Sequence, residues 1–158
     1  MACKVEGTAL IFGGGSGIFF SSSRSQCYYL EINQKFPGIG RGTAYKLAEN
    51  GITNIALSDI NSSAVESTRN ELQALYPSVD VLVLETNVVD EASVAAAVQK
   101  TAEKYGRIDI GINSAGISGT PCPTDKLALA EWQRVIDVNQ TGLWLCQRAL
   151  IQQMLKQE

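Results

Sequence analysis

The sequence predicts an α/β protein whose core is a doubly wound parallel sheet. Two observations carry this prediction: short apolar runs alternate with stretches whose apolar residues recur at helical spacing, and a glycine-rich turn joins the first apolar run to the first helix. Four strands separated by helices favour parallel pairing with right-handed crossovers. A chain of 158 residues has room for one such domain and not for two.

The boundaries of the elements can be justified in order along the chain. Gly51 stops the first helix and Pro77 the second, while Ser63 and Glu66 offer a capping box for the second. The last helical pattern runs to the end of the sequence, so we expect a domain truncated after the fourth strand and this long helix. The predicted strands span 5–12, 53–58, 79–85 and 108–112, and the predicted helices span 41–50, 61–76, 90–105 and 129–157.

Composition describes an ordinary globular protein. Apolar residues make up 45% and charged residues 18% of the chain, and the formal net charge is −3. Because lysines and arginines do not cluster, we expect no nucleic-acid partner. The chain has neither an apolar signal core nor a run long and apolar enough for a membrane span, which predicts a cytoplasmic protein without membrane association.

The cysteines and the absence of histidine narrow the chemistry. Cys3, Cys27, Cys122 and Cys146 lie far apart, and no residue of the chain is histidine. This spacing suggests neither a metal site nor a redox pair, so we expect reduced, structural thiols. Without histidine, every Ser-His or Cys-His nucleophile system is excluded.

The glycine-rich turn is interrupted. The run Gly13 to Ile18 follows the first strand directly, but its natural continuation begins only at Gly40. The dipeptide Gly-Ile stands at both edges of the interruption, so removing residues 19–39 restores the pattern Gly-x-x-x-Gly-Ile-Gly. We interpret 19–39 as an insertion and favour a retained intron as its origin. A true surface loop with a chance repeat is the alternative.

Without the insertion, this region reads as strand, glycine turn and helix, a geometry that receives a pyrophosphate. Asp59 follows the second strand, where a carboxylate can accept both ribose hydroxyls of an adenosine and would repel a 2′-phosphate. This favours NAD over NADP. The alternative role for this position is a helix cap, which Asp59 or Asn61 would serve equally well. No Gly-Lys-Ser/Thr follows the glycines, which excludes a P-loop.

Three motifs resemble those of the short-chain dehydrogenase/reductase family. They are the glycine turn from Phe12 to Ile18 continued by Gly40, the sequence Asn113-Ser114-Ala115-Gly116 after the fourth strand, and Val138-Asn139-Gln140-Thr141-Gly142 in the long helix. The resemblance covers the whole chain except the insertion and corresponds to the amino-terminal half of a typical member. It implies a Rossmann-like fold and an oxidoreductase that interconverts a secondary alcohol and a carbonyl.

The resemblance also implies a role for each matching residue. Those expected at the cofactor are Gly13, Gly17, Ile18 and Gly40 at the pyrophosphate, Asp59 at the ribose, Asn87 and Val88 at the adenine, Asn113, Ala115 and Gly116 at the nicotinamide, and Ile60 without a specified part of the cofactor. Three positions depart from the family pattern. Phe12 replaces a threonine that holds the turn together, Asn87 replaces an aspartate, and Ser114 replaces a second asparagine.

Catalysis is where the resemblance is incomplete. Asn139 matches the family's catalytic asparagine, whose backbone holds a water in a proton relay; it can also simply bend a long helix, and both roles are compatible. The family's serine and Tyr-x-x-x-Lys pair are missing, since no tyrosine has a lysine four residues later. We therefore expect the chain to be inactive as it stands. The alternatives are a non-catalytic dinucleotide-binding module or pseudoenzyme and a faulty gene-model fragment.

The expected partners follow from the same resemblance. An intact member would take a small-molecule alcohol or carbonyl and form a homo-oligomer through the long helix. Ending the domain after that helix should leave the fourth strand as a sheet edge. It should also expose apolar side chains of the helix among Val135, Leu143, Leu145, Leu150 and Leu155.

Overall fold

The computed structural model describes residues 5–15 and 38–157. Gly17, Ile18 and all but the last two residues of the expected insertion lie outside this part of the chain. The described elements are β1 (Thr8–Phe12), α1 (Ile39–Glu49), β2 (Asn54–Asp59), α2 (Ser62–Leu75), β3 (Asp80–Glu85), α3 (Glu91–Tyr105), β4 (Ile110–Asn113), a 3₁₀ turn (Thr124–Lys126), α4 (Leu129–Ile136), a π-helical segment (Asp137–Gly142) and α5 (Leu143–Met154).

The described strands form one parallel sheet in the order β3-β2-β1-β4. β1 is central at its carboxyl end, where Phe12 pairs with Ser58 of β2 on one side and with Asn113 of β4 on the other. The strand order reverses between β1 and β4, and ligands of open α/β sheets bind in the crevice at such a point. The predicted doubly wound parallel sheet is confirmed, and β4 pairs with β1 alone among the described strands.

Helices cover both faces of the sheet. α1 and α2 bury Ala44, Val65 and Leu72 against one face, and α3 and α5 pack on the other. Phe12 belongs to the second layer and is completely buried there with Val94 and neighbouring apolar side chains. The aromatic ring that replaces a small hydroxyl residue is thus accommodated in the core under α3 and α5.

Two helix starts differ from their predicted positions. α1 begins at Ile39 instead of Arg41, so the second Gly-Ile copy forms the cap and the first residue of the helix. α2 is capped by Asn61, whose Oδ1 accepts the N–H of Ala64 at 3.1 Å. The predicted capping box of Ser63 and Glu66 is therefore wrong, because an amide oxygen two residues earlier already occupies the cap.

The predicted long helix is helical from 129 to 154 but changes pitch in the π-helical segment. Among the apolar side chains expected to include exposed ones, Leu143 and Leu155 are exposed. Leu145 and Leu150 are only 9% and 4% exposed, and Leu150 packs in the core layer with Val94 and Val98 of α3. No helix in the described ranges combines the length and apolar character that crossing a membrane requires.

Candidate dinucleotide site

The glycine turn folds back onto the end of β2. Gly13 has a φ of +84°, a conformation that L side chains rarely adopt. The N–H groups of Gly13 and Gly14 both donate to the carbonyl oxygen of Ser58, at 2.7 and 3.1 Å. Because both N–H groups already donate within the protein, they are not free to bind a ligand. The role of Gly13 is to let the backbone of the turn pass close to the segment after β4. A Cβ on Gly13 would lie 2.4 Å from the backbone nitrogen of Ala115.

Asp59 is the last residue of β2, and its carboxylate lies against this turn. Its Oδ2 accepts the N–H of Gly15 at 3.1 Å, and its Oδ1 accepts the N–H of Asn61 at 3.1 Å. The capping role goes to Asn61, so the choice that the sequence left open is decided. Each carboxylate oxygen keeps a further lone pair, which leaves acceptors for ribose hydroxyls. Ile60 beside it is 67% exposed.

The amino end of α1 lies beside the turn. Its cap position, Gly38, makes no side-chain capping bond. The first N–H groups of a helix have no partner within the helix, and the helix dipole favours an anion there. A Cβ on Gly40 would lie 2.2 Å from the carbonyl oxygen of Gly13 and 2.3 Å from Ser114 Oγ. Only glycine allows the helix to approach this closely.

Asn87 and Val88 follow β3 at the same edge of the sheet. The N–H of Asn87 donates to Ser93 Oγ at 3.1 Å, and its side-chain Oδ1 accepts the N–H of Val89 at 3.3 Å. The oxygen expected to accept from an adenine is thus already engaged once and has a second lone pair left. Val88 is 9% exposed and packs against Gly142 of the π-helical segment, where a Cβ would lie 2.9 Å from Val88 Cγ2.

The end of β4 carries the residues expected at the nicotinamide. Asn113, Ala115 and Gly116 are all partly buried, and Ala115 packs against the layer of α3 and α5. Oδ1 of Asn113 is buried and makes no hydrogen bond to the described residues. Ser114 holds this strand end to β1, because its N–H and its hydroxyl both donate to the carbonyl oxygen of Phe12, at 2.9 and 2.8 Å.

Asn139 lies in the π-helical segment and binds the loop that follows β4. Its Oδ1 accepts the N–H of Ile117 at 2.8 Å, and its Nδ2 donates to the carbonyl oxygen of the same residue at 2.9 Å. The helix does change its geometry here, as a bending asparagine would predict. The side chain has the additional task of positioning the loop, and its own backbone carbonyl takes no part in these two bonds.

Glu131 of α4 holds the same loop at a second point. Its Oε1 accepts both the N–H and the hydroxyl of Thr120, each at 2.8 Å. Hydrogen bonds from Arg134 and from Thr120 lower the pKa of Glu131 to about 2. Sequence reasoning missed this contact, because nothing in the spacing of the two residues indicates it.

Thr68 is a further residue that sequence reasoning missed. It lies on the buried face of α2, and its hydroxyl is 3.0 Å from the carbonyl oxygen of Ala64 and 3.3 Å from that of Gly15. A hydroxyl at a core position of a helix was the available signal. Thr68 thus contacts the glycine turn at Gly15, whereas Ser114 contacts its start at residues 12 and 13.

The phenols of two tyrosines, Tyr45 and Tyr105, have raised pKa values. Burial, above all, raises the pKa of Tyr45, whose hydroxyl donates to Glu71 Oε2 at 2.9 Å between α1 and α2. Burial also raises the pKa of Tyr105, whose hydroxyl donates to the carbonyl oxygen of Asp80 at 3.1 Å. Asp80 begins β3, so Tyr105 lies at the edge opposite the glycine turn. A phenol that exchanges protons near neutral pH needs a lowered pKa.

The two described cysteines differ in environment. Cys146 of α5 is buried, which raises the pKa of its thiol to about 12, as expected for a structural thiol. Cys122 is exposed in the loop after β4. Across residues 5–15 and 38–157, no three histidine, cysteine, aspartate or glutamate side chains are grouped closely enough to hold a metal ion.

Comparisons with known proteins identify the family of this chain. Residues 35–158 match the family model described as short chain dehydrogenase. Levodione reductase of Leifsonia aquatica is 38% identical over 108 residues, which are 68% of this chain and 40% of that protein. The 2-dehydro-3-deoxy-L-rhamnonate dehydrogenase (NAD(+)) of Sphingomonas sp. strain SKA58 is 38% identical over 120 residues, 75% of this chain and 45% of the relative.

Solved structures of similar proteins share the architecture. The crystal structure of levodione reductase has a TM-score of 0.78 and 33% identity, covering 95% of this chain and 50% of that one. The structure of NAD+-bound xylitol dehydrogenase has a TM-score of 0.77 and 27% identity, covering 95% and 48%. The chain spans about half the length of the curated relatives it matches.

Proposed function

This chain belongs to the short-chain dehydrogenase family, and we propose that it forms the dinucleotide-binding half of an oxidoreductase that interconverts a secondary alcohol and a carbonyl. One observation carries the proposal: the amino end of α1, which has no side-chain cap, lies so close to the glycine turn that a Cβ on Gly40 would be 2.2 Å from the Gly13 carbonyl oxygen. The helix end would bind the pyrophosphate, Asp59 the ribose, and the segments after β3 and β4 the adenine and the nicotinamide. When bound, the nicotinamide would supply the hydride chemistry.

We propose NAD, rather than NADP, as the cofactor. Asp59 would place a carboxylate beside a 2′-phosphate, and the residues that follow it, Ile60 and Asn61, carry no positive charge. Arg41, in the first turn of α1, already has a carboxylate partner, since it forms an ion pair with Glu71. The relative and the solved structure whose names include NAD support the same choice.

We propose that these 158 residues bind the cofactor without turning over substrate. No tyrosine has a lysine four residues later, and burial raises the pKa of both Tyr45 and Tyr105. A missing general acid–base group costs about 10²- to 10⁴-fold in rate. Asn139 can still serve a proton relay through its backbone, provided the other catalytic groups are supplied. The alternative, a nucleotide-binding module without chemistry, makes the same binding prediction.

We also propose that residues 19–39 are an insertion into the glycine turn. The family match begins at residue 35 and so contains only the second Gly-Ile copy. That copy forms the cap and first residue of α1. Removing 19–39 would join the first copy directly to Gly40 and give the helix the same start. Closing a loop of this length costs on the order of 3 kcal/mol, which a typical domain stability can absorb.

Binding of NAD and NADP to the protein and to a Δ19–39 variant, measured by titration calorimetry, tests these proposals. We expect NAD to bind more tightly than NADP, and the deletion to strengthen NAD binding. Both forms should be inactive with a panel of secondary alcohols. Absence of nucleotide binding in both forms would refute the proposed function. Equal NAD affinity would refute only the effect of the insertion, and turnover by either form would refute the inactivity.

We propose homo-oligomer formation through α4 and α5 in the cytoplasm. The supporting observation is a set of large apolar side chains that remain exposed on these helices: Leu129, Trp132, Leu143, Trp144, Ile151 and Leu155. Arg148 covers part of this surface, since its guanidinium lies 5.3 Å from the centre of the Trp144 ring and pairs with Glu91 at 2.8 Å. Light scattering should find more than one copy per particle; a monomer would contradict the proposal.

A further inference from the structure

The hydroxyl of Ser114 lies where three parts of the proposed cofactor edge meet. It donates to the carbonyl oxygen of Phe12 at 2.8 Å, and it lies 3.4 Å from that of Gly13. On its other side is α1, since a Cβ on Gly40 would lie 2.3 Å from the same oxygen. One side chain therefore touches the end of β1, the start of the glycine turn and the amino end of α1.

Ser58 of β2 pairs with Phe12, but its buried hydroxyl makes no hydrogen bond to the described residues. The side chain of Phe12 is buried among the apolar residues under α3 and α5 and has no polar group to offer. Within the described residues, the side-chain hydroxyl that donates to the carbonyl oxygens of residues 12 and 13 is that of Ser114. The contact from Ser114 joins residues 102 positions apart.

We propose that Ser114 is a positioning residue for the cofactor, because its hydroxyl fixes the glycine turn against the amino end of α1. This inference rests on the proposed dinucleotide function. The Ser114 side chain does not touch the pyrophosphate itself. It sets the distance between the Gly13 carbonyl and Gly40, and through that distance the place of the helix N–H groups that receive the phosphates.

The sheet does not need this hydroxyl to form. β1 and β4 are already paired from Ala9 to Phe12, and the N–H of Ser114 adds its own bond to the carbonyl oxygen of Phe12 at 2.9 Å. Removing the hydroxyl should therefore leave the strands paired and release only the turn. This distinction makes a positioning role separable from a structural one.

The experiment compares binding of ADP with binding of adenosine to the full protein. ADP needs both the helix end and Asp59, whereas adenosine needs only the adenosine side of the site. Ser114→Ala should weaken ADP binding roughly 3- to 10-fold, the effect of one net hydrogen bond, and change adenosine binding less than twofold. Ser114→Cys, which keeps the shape but is a weak donor, should behave like the alanine variant.

Ser78→Ala is the matched control. It removes the hydroxyl of an exposed serine just before β3, at the amino ends of the strands and away from the turn, and it should leave both affinities unchanged. Equal loss of ADP and adenosine binding in Ser114→Ala, or wild-type ADP affinity in Ser114→Cys, would overturn the inference alone. If the wild-type protein binds neither ligand, the proposed function fails and the inference falls with it.

Discussion

Two segments of the proposed cofactor site, the glycine turn after β1 and the loop after β4, are held in place by different means. The start of the glycine turn is held mainly by backbone groups of buried residues, with Gly13 and Gly14 both bonded to the carbonyl of Ser58, and the Ser114 hydroxyl adds a side-chain contact. The loop after β4 is fixed by side chains of exposed or half-buried residues, Asn139 and Glu131. Both segments follow neighbouring strands of one sheet, yet only the first takes its shape mainly from the sheet itself.

This difference determines which changes each segment can tolerate. A backbone contact inside the sheet does not respond to pH and leaves no room for an added atom. A contact made by an exposed side chain is weaker and adjustable, and the contact of Glu131 also depends on protonation. We therefore expect substitutions in the glycine turn to cause steric clashes with large effects. Substitutions of the side chains that hold the loop should have smaller effects.

The largest effect is expected from Gly40→Ala. The added Cβ would lie 2.2 Å from the Gly13 carbonyl oxygen and 2.3 Å from Ser114 Oγ, so α1 must move away from the turn. Overpacking of this kind costs roughly 1–3 kcal/mol, and NAD affinity should fall by about 100-fold. Calorimetry against Gly119→Ala provides the comparison, because there the nearest atom is a Val135 methyl group at 3.3 Å. Similar NAD affinities in the two variants would show that the close approach is not needed.

Substitution of Asp59 should have the next largest effect. Asp59→Ala removes the charge that disfavours a 2′-phosphate, so the preference for NAD over NADP should fall on the order of tenfold. It also removes the acceptor for the Gly15 N–H, so NAD affinity itself should decrease. Glu85→Ala removes a neighbouring carboxylate at the end of β3, paired in register with Asp59, and should change the preference much less. If both substitutions change the preference equally, it arises from the total negative charge of this region and not from a specific contact between Asp59 and the ribose.

The fold was predictable from the sequence because its signals are local. Apolar periodicity, Gly51 and Pro77 are read within a few residues of the elements they define. The choice between Asp59 and Asn61 as helix cap was not predictable, since both offer a side-chain oxygen at the right place. The contacts of Asn139 and Ser114 were equally inaccessible: they join residues 22 and 102 positions apart, and no spacing rule connects such pairs.

Asn139→Ala should release the loop after β4 at one point. Two hydrogen bonds to Ile117 are lost, and each contributes roughly 0.5–1.5 kcal/mol. Hydrogen exchange at the Ile117 amide should accelerate about tenfold or more, while the amides of Gly13 and Gly14 keep their protection. Gln140→Ala, at the neighbouring exposed position, is the control. Faster exchange at the glycine turn as well would contradict the independence of the two segments.

The smallest effect is expected at Glu131, and it should depend on pH. The pKa of this carboxyl is lowered to about 2 by hydrogen bonds from Arg134 and Thr120. A lowered carboxyl pKa means that the contact stabilises the folded state above the unfolded pKa of about 4.3 and is lost as the pH falls through about 2. Glu131→Gln should therefore accelerate exchange at the Thr120 amide roughly twofold to fivefold at pH 6, and the wild-type protein should approach the variant only in strong acid.

Glu103→Gln is the matched control for this prediction. Glu103 accepts from Gln99 Nε2 at 2.7 Å on the exposed face of α3 and does not reach the loop. The same substitution there should leave hydrogen exchange at the Thr120 amide unchanged. If the Glu131 carboxyl titrates at its ordinary pKa, the hydrogen bonds to Thr120 are too weak to hold the loop. The loop would then be held by Asn139 and by the 3.4 Å contact of Arg134 with the carbonyl oxygen of Ser118, and the contrast between the glycine turn and this loop would be larger than the hydrogen bonds indicate.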